Sequence, residues 1–461
     1  MSEKQAPQNV LRHPEFSGRI GIARKDITPP VGIYSRTWGS ARHDQAEGVH
    51  RPLLGSCVSL TDHDGQELVF IALDTIVLDH QETANIRAQI LAALKLDPGQ
   101  LILHPSHTHS APWLMRGRKD RPGGHLIPPY LDALPGVILE LIAQARAAAA
   151  PAILSWAYGR CALAYNRDFV DPASGRDICG LNLAVKADDT VLVGRICDAD
   201  GKIIGTIVNY ACHPVSMGGG NRLMSPDYIG AMREIVERDT GGAPCVFLHG
   251  ASGDLTPRRS YEAVPEAADQ NGRELGYAAM TVLSGMFPPG KQYAYQGVEE
   301  SGTPLGVWKL EDKPVLDAKL MGRMVTMRLP LAKLPTRAEL EAQLATATER
   351  YAIERLERSL ARRNLVGDGD DYGFFFTVWR LGEAFLIATP AEAYSKFQVD
   401  LRERFPGTAV AVLNATDGST SYLPLPESFN RDVYQSRIAI YGPGSLERVT
   451  DMAADTVRQM A

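Results

Sequence analysis

The stretch LILHPSHTHSAPW, residues 101–113, places His104, His107 and His109 within six positions of a chain that has only 11 histidines. Neutral imidazole suits zinc as a ligand, and its pKa suits proton transfer near neutrality. In an extended segment, residues i and i+2 point the same way. That spacing predicts His107 and His109 facing one site together, with His104 turned elsewhere as a structural residue. The competing reading is a polar loop with two solvated histidines.

Further residues could complete a site. His213 in NYACHPVS follows an apolar run; by itself it reads equally as a hydrogen-bonded core histidine. Glu392 in IATPAEAYSKF reads as opening a helix after a strand, where the helix dipole favours an acidic residue. The stretch GASGDLTP offers Asp254 and Thr256 in a Gly-rich loop, a weak signal when taken alone.

The elements that must position these residues form a pattern. GSCVSLTDHDGQELVFIALDT and VLVGRICDADGKIIGTIVNYACHP each read as two strands around an Asp-Gly turn. QLILHPS and APCVFLHG read as short apolar strands, and YGFFFTVWRLGEAFLIATPAE as a strand pair leading into a helix. QETANIRAQILAAL, PYLDALPGVILELIAQARAAAA and DYIGAMREIVERD carry helical periodicity. Residues 336–365 form the longest helical pattern; charges at i,i+4 spacing predict one helix with a solvated face. Apolar strands repeatedly end in turn-rich segments that hold the unusual residues: HPSHTH, ACHPVS, HGASGD, TPAEAY and NATDGSTSY. In α/β folds, ligand sites collect where loops leave strand ends. Strands and helices mix throughout without an internal repeat, which predicts a single α/β domain over residues 17–461 after a mobile polar segment at 1–16.

Composition excludes several functions. Of the 461 residues, 44% are hydrophobic and 22% charged, and the net charge is −6, against the basic face that a nucleic-acid binder wants. The six cysteines form no CxxC and read as reduced, buried thiols. The opening residues MSEKQAPQNVLRHPEFSG hold no apolar segment of signal-peptide type, and no run approaches 18 apolar residues. The expectation is a cytoplasmic enzyme with no membrane span; the sequence leaves homo-oligomerisation open.

Taken together, the blocks resemble the catalytic domain of the neutral, non-lysosomal ceramidases and their bacterial relatives. The family's THTHSGP is similar to SHTHSAP here; its HPVSM followed by NRLISGD is similar to HPVSMGGGNRLMSPD at 213–227. Its GDVSP resembles GDLTP at 253–257, and its PGEFT resembles PAEAY at 390–394. Its GYVTTPEEY and QNYEG…FGP resemble SYLPLPESF and DVYQS…YGP, with Tyr422 and Tyr434 twelve residues apart as in the family. The blocks keep the family's order.

The resemblance implies a layered mixed β-sheet core flanked by helices. It implies one zinc per chain, held by His107, His213, Glu392 and Tyr422, with His109 handling the proton. Arg167, in AYNRDF, would be the active-site arginine, and Tyr434 would help stabilise an oxyanion. Zinc lowers the pKa of water toward ~7 and polarises a carbonyl; Tyr434 and Arg167 could donate to the developing oxyanion, and His109 could return a proton to the leaving amine.

Three departures shape the expected substrate. Thr256 stands where the family has a serine assigned as nucleophile or substrate contact. Arg258 replaces the usual asparagine, with Arg259 beside it, a pair that suits a polar or anionic substrate. The sequence stops soon after the catalytic domain, without the family's C-terminal β-sandwich. The expectation is a zinc hydrolase that uses activated water on the amide bond of a small soluble N-acyl compound, linear or cyclic. Ceramide hydrolysis proper, and a zinc esterase or lactonase on the same scaffold, are the alternatives. A non-catalytic binding protein is disfavoured because every ligand is retained.

Overall fold

A computed structural model describes residues 9–461. Its largest sheet has eight strands, in the order Cys245–His249, Ile203–Tyr210, Thr190–Asp198, Ala150–Arg160, Glu15–Asp26, Leu54–Thr61, Glu67–Leu73 and Leu101–Pro105. The interior pairs are antiparallel and the pair at each edge is parallel. The two hairpins read from the sequence are there, Leu54–Thr61 with Glu67–Leu73 and Thr190–Asp198 with Ile203–Tyr210. Their turns, DHDGQ and DADGK, are built alike. The first aspartate accepts from two backbone N–H groups across each turn, and Gly65 and Gly201 take positive φ.

A second sheet of four strands runs Leu320–Pro330, Asp371–Leu381, Ala384–Ala388 and Ala409–Leu413. Strand alternation sends Phe16, Leu60, Phe70, Leu154, Trp156 and Leu192 of the large sheet against Trp379, Leu381, Leu386 and Leu413 of the small one. The opposite faces are covered by helices. His80–Leu94 and Ile127–Ala148 cover one half of the large sheet, and Tyr228–Asp239 with Pro265–Gly285 the other. Lys396–Arg404 and Ser445–Met460 cover the small sheet. The result is a four-layer helix–sheet–sheet–helix stack, the layered α/β core that the family resemblance implied.

The segment Gly124–Ala148 is long and apolar enough to cross a bilayer by length and composition. In the fold, its stripe of Ile127, Leu131, Leu134, Ile138, Leu141 and Ala145 is buried with Cys57, Ile71 and Leu73 of the large sheet.

Three local expectations change. Ordered structure begins before residue 17: Val10–Leu11 pairs with Lys291–Ser301, and Glu15 and Phe16 are buried at the start of a sheet strand. Residues 1–8 of the segment read as mobile lie outside the described residues. The single helix over 336–365 is two helices, Arg337–Thr346 and Arg350–Val366. The backbone turns extended at Ala347 and Glu349, which follow Thr346 and Thr348, both poor helix formers, and the second helix docks through a buried Arg36–Glu354 ion pair at 3.0 Å. Glu392 does not open a helix. It lies in the two-residue strand Glu392–Ala393, parallel to Tyr422–Leu423, and the helix starts only at Lys396.

Candidate metal centre

Strand geometry brings the polar segments to one place. The two edge strands of the large sheet are the first and the eighth in strand order, yet the His249 N–H donates to His104 Nε2 at 2.8 Å. The segment after Ala409–Leu413 ties both edges together, with Asn414 N donating to His249 O and Asp417 N to Leu103 O. The large sheet therefore coils until its parallel edges meet over the end of the small sheet's parallel pair. The loops leaving the carboxyl ends of Leu101–Pro105, Ile203–Tyr210, Cys245–His249, Ala384–Ala388 and Ala409–Leu413 converge there.

Four donor groups meet at the convergence. His107 Nε2 lies 3.3 Å from His213 Nε2 and 3.3 Å from Glu392 Oε2. His213 Nε2 lies 3.1 Å from Glu392 Oε2 and 3.4 Å from the Tyr422 hydroxyl. His107 Nδ1 faces the Ile76 carbonyl at 2.8 Å, and His213 Nδ1 faces the Ser252 carbonyl at 2.9 Å. A carbonyl only accepts, so each Nδ1 carries the proton and each neutral Nε2 turns a lone pair inward. Glu392 Oε2 is buried and makes no hydrogen bond among the described residues. Converging lone pairs are satisfied by a cation. Zinc bonds of 2.0–2.1 Å in a tetrahedron put ligand atoms about 3.3–3.4 Å apart, which is the spacing found here. The residues fit the metal.

Burial dominates the electrostatics. It pushes His213 down to about 4, reinforced by the Arg167 charge. Burial works against ionising Glu392 too, but His107 and His213 hold its carboxyl well below the usual carboxylate range.

His109 joins the cluster from the side. Its ligand nitrogen lies within 4.8 Å of those of His107 and His213, and the three could together hold a metal. Its ring stands perpendicular to that of His107 at 5.0 Å, and its Nε2 has no hydrogen-bond partner among the described residues. It keeps partial exposure and rests on Trp38 at 5.3 Å, which in turn meets Tyr261 edge-on at 5.8 Å. The convergence of His107 and His109 does not come from an extended segment. His107 has φ 64, a left-handed conformation costly for a non-glycine residue and common at functional sites.

His104 is structural, as its separate orientation suggested: Nε2 accepts from His249 N–H, and Nδ1 meets Thr416 Oγ1 at 2.7 Å. Arg167 is buried and largely committed. Its Nε and Nη2 donate to Gly253 O at 3.0 and 2.7 Å, and Nη2 also donates to the Tyr422 hydroxyl at 3.0 Å. Among the described residues only Nη1 stays without a protein acceptor. Tyr434 stands edge-on to Tyr422 at 6.0 Å and is 44% exposed, so it lies at the mouth. Thr256 is fully buried on the short strand Leu255–Pro257, with no partner for its hydroxyl among the described residues. Asp254 turns away to accept from Ser395 N–H and hydroxyl, and burial pushes it up to about 6.

The arginine pair expected at the substrate rim is neutralised. Arg258 pairs with Glu274, and Arg259 with Glu262 and Gln270. Glu262 stands only three residues after Arg259, whereas Glu274 is sixteen residues from Arg258 and gives no local sequence signal.

Sequence reading passed over His249, Ser252 and Asp227. His249 stacks on His107 at 5.2 Å, and Ser252 Oγ links His249 Nε2 at 2.9 Å to His213 Nδ1 at 3.2 Å. Asp227 accepts from the N–H groups of Ser216 and Met217 and so holds the loop that follows His213. The position of His249, at a strand end immediately before GASGD, was the available clue. All six cysteines are free, and all but Cys179 are buried.

Residues 19–259, just over half of the chain, match the N-terminal domain of the neutral/alkaline non-lysosomal ceramidases. The neutral ceramidase of Pseudomonas aeruginosa is 24% identical over 282 residues, 56% of this chain and 40% of that protein. The neutral ceramidase of Drosophila melanogaster is 21% identical over 238 residues, 48% of this chain and 32% of that one. The matched segments thus span less than half the length of these relatives. A ceramidase solved in complex with C2 superposes with TM-score 0.66 at 17% identity, over 97% of this chain and 76% of that one. The crystal structure of neutral ceramidase from Pseudomonas aeruginosa gives 0.64 at 17% identity, over 97% and 75%. Both structures share the fold, including the part beyond residue 259 that carries Glu392, Tyr422 and Tyr434. By the match of its first half, the chain belongs to the neutral/alkaline non-lysosomal ceramidase family.

Proposed function

We propose that this chain is a zinc-dependent hydrolase that cleaves an amide bond with activated water. The observation that carries the reading is the set of donor separations, 3.1–3.4 Å among His107, His213, Glu392 and Tyr422. A zinc ion held there would supply Lewis acidity, making water more acidic and a carbonyl more electrophilic. The chain's own residues divide the remaining work. His109, partly exposed and free at Nε2, takes a proton from water and returns it to the leaving amine. The Tyr434 hydroxyl at the mouth and Arg167 Nη1 are the donors available to a developing oxyanion. Arg167 also positions Tyr422 through the bond to its hydroxyl. Thr256 lines the buried floor.

The substrate we favour is a small N-acyl compound. Ceramide is the alternative suggested by the names of the relatives, and an ester or lactone could be opened by the same groups. Metal analysis after zinc loading, followed by turnover on a panel of amides, esters and N-acyl sphingosine, tests the proposal. About one zinc per chain with amide turnover is expected. A chain that takes up no zinc, or takes it up and turns over nothing on the panel, overturns it in favour of a binding protein.

A further inference from the structure

Helix Arg350–Val366 does not present only a solvated face. Its docking turns Arg358 toward Trp113 beside the metal site, and Arg362, one helical turn on, shares that face of the helix. The Arg358 guanidinium carbon lies 5.5 Å from the centre of the Trp113 ring, which Arg118 approaches from 5.9 Å. Trp113 packs on Ile76, whose carbonyl orients His107. Burial raises the pKa of Tyr434, which stands edge-on to Tyr422, and the Arg358 charge acts against that rise; burial lowers the pKa of Arg362. The helix thus borders the site through Trp113.

Among the described residues no carboxylate answers these charges. The acidic residues of the helix are already engaged: Glu354 by Arg36 and Arg350, Glu357 by Arg118 and Arg121. Among the described residues neither Arg358 nor Arg362 has an ion-pair partner; Arg362 donates only to Ser359 Oγ, at 2.9 Å. Both are half-buried. Two like charges at i,i+4 repel, and partial burial removes water from both. An anion bound between them offsets both costs, and guanidinium forks suit carboxylate and phosphate oxygens.

We propose that Arg358 and Arg362 form an anion-binding subsite at the mouth of the metal centre, and that the substrate is an N-acyl compound bearing a carboxylate or phosphate group. The proposal rests on the hydrolase reading for the bond that is cut, though not for the binding of the anion. It restores the anionic preference first read into Arg258 and Arg259, at a different place in the fold.

Three probes of one length test it: an N-hexanoyl amino acid, its primary carboxamide, and the phosphate monoester of the matching N-hexanoyl amino alcohol. Binding is measured by calorimetry on the full chain after chelation, so that nothing is turned over, and turnover is then measured with zinc restored. The acid, the phosphate or both should bind roughly ten- to a hundred-fold tighter than the carboxamide, the worth of a charge-assisted hydrogen bond. The tighter of the two identifies the natural headgroup. High salt should shrink the ratio. Arg358→Gln and Arg362→Gln should each lower it, and the double variant should bring it near one, whereas Arg355→Gln, exposed on the same helix, leaves it in place. If the double glutamine variant does not fold, the double lysine variant, which keeps charge but loses the fork, should retain part of the ratio. Equal binding of all three probes to the parent, or a ratio that survives the double variant and high salt, overturns the subsite. Preference without turnover on zinc loading leaves the subsite standing and removes the hydrolase reading; turnover without preference does the reverse.

Discussion

Glu392 and Tyr422 are Cα partners in a two-residue parallel bridge, so two of the four proposed metal donors leave neighbouring strands side by side. The bridge is backed by the GASGD loop, since Gly253 N donates to Ala393 O and Gly253 O accepts from Arg167, which in turn holds the Tyr422 hydroxyl. One short stretch of backbone therefore sets the position of two proposed metal donors and of the arginine that bonds one of them.

A side chain at position 253 should disturb all three. A Cβ built there would sit 2.7 Å from Glu392 O and 3.0 Å from Ala393 O, both backbone atoms with little freedom to move. Gly253→Ala should cost about 1–3 kcal/mol of stability and weaken zinc binding as well. Denaturation and metal-competition titrations read the two effects. A destabilised variant with unchanged zinc affinity would show that the loop supports the fold without setting the donor geometry.

Removal of single donors separates ligand from support. His107→Ala, His213→Ala and Glu392→Ala should each purify without zinc and fail to regain it, because the remaining donors leave the ion under-coordinated. His104→Ala should bind zinc at parental stoichiometry. Metal retained by His107→Ala and lost from His104→Ala would reverse the assignment within the cluster.

Much of this was legible in the sequence, because the residue types declare themselves at strand ends. HPSHTH, ACHPVS and TPAEAY each follow an apolar run, and each delivers a side chain to the convergence. The two Asp-Gly hairpins were legible for a similar local reason: five residues contain the whole hydrogen-bond pattern of the turn. Long-range pairing was not. Glu262, three residues after Arg259, was a local partner open to view, but nothing beside Arg258 announces Glu274 as its partner in space, and nothing in the helical pattern of 336–365 shows that Arg36 will capture Glu354 and swing Arg358 toward Trp113. The i,i+2 rule assumes an extended chain, whereas His107 has φ 64 with its Nδ1 bonded to Ile76 O, and nothing local in the sequence signals that backbone.

His109 should behave differently from the ligands. His109→Ala is expected to keep zinc and lose roughly 10²–10⁴ in turnover, the usual range for a missing acid–base group. Zinc content and steady-state kinetics on the same preparation are both needed. Loss of zinc from this variant would move His109 into the ligand set, which its approach within 4.8 Å of His107 and His213 allows.

Thr256 is fully buried and its hydroxyl has no partner among the described residues, so no base stands ready to activate it. Thr256→Val, close in shape, should keep turnover within about tenfold of the parent, the scale of one hydrogen bond to substrate. Thr256→Ser should be nearly silent. A zinc-replete Thr256→Val protein without detectable turnover, together with an acyl group trapped on Thr256 in the parent, would make this threonine the nucleophile.

His104 carries a pH dependence whose sign follows from its bonds. Nε2 accepts from the His249 N–H, so the ring must be neutral; protonation would set two donors against each other. Burial, aided by the His107 charge, pushes its pKa down to about 3, against about 6.5 for a histidine in the unfolded chain. Between those values the unfolded chain holds the extra proton, so stability rises with pH across that window. The contribution is fully present above about pH 6.5 and is lost as pH falls toward 3. His104→Asn removes both the bond and the titration. It should be less stable than the parent by about 1–3 kcal/mol at pH 8, and the gap should narrow as pH falls from 6.5 to 4.5. Urea denaturation of the metal-free proteins reads this as two converging curves. His213, also depressed by burial, titrates in both proteins, so the difference between the curves isolates His104. Curves that run parallel across the window would place the acid sensitivity elsewhere in the cluster.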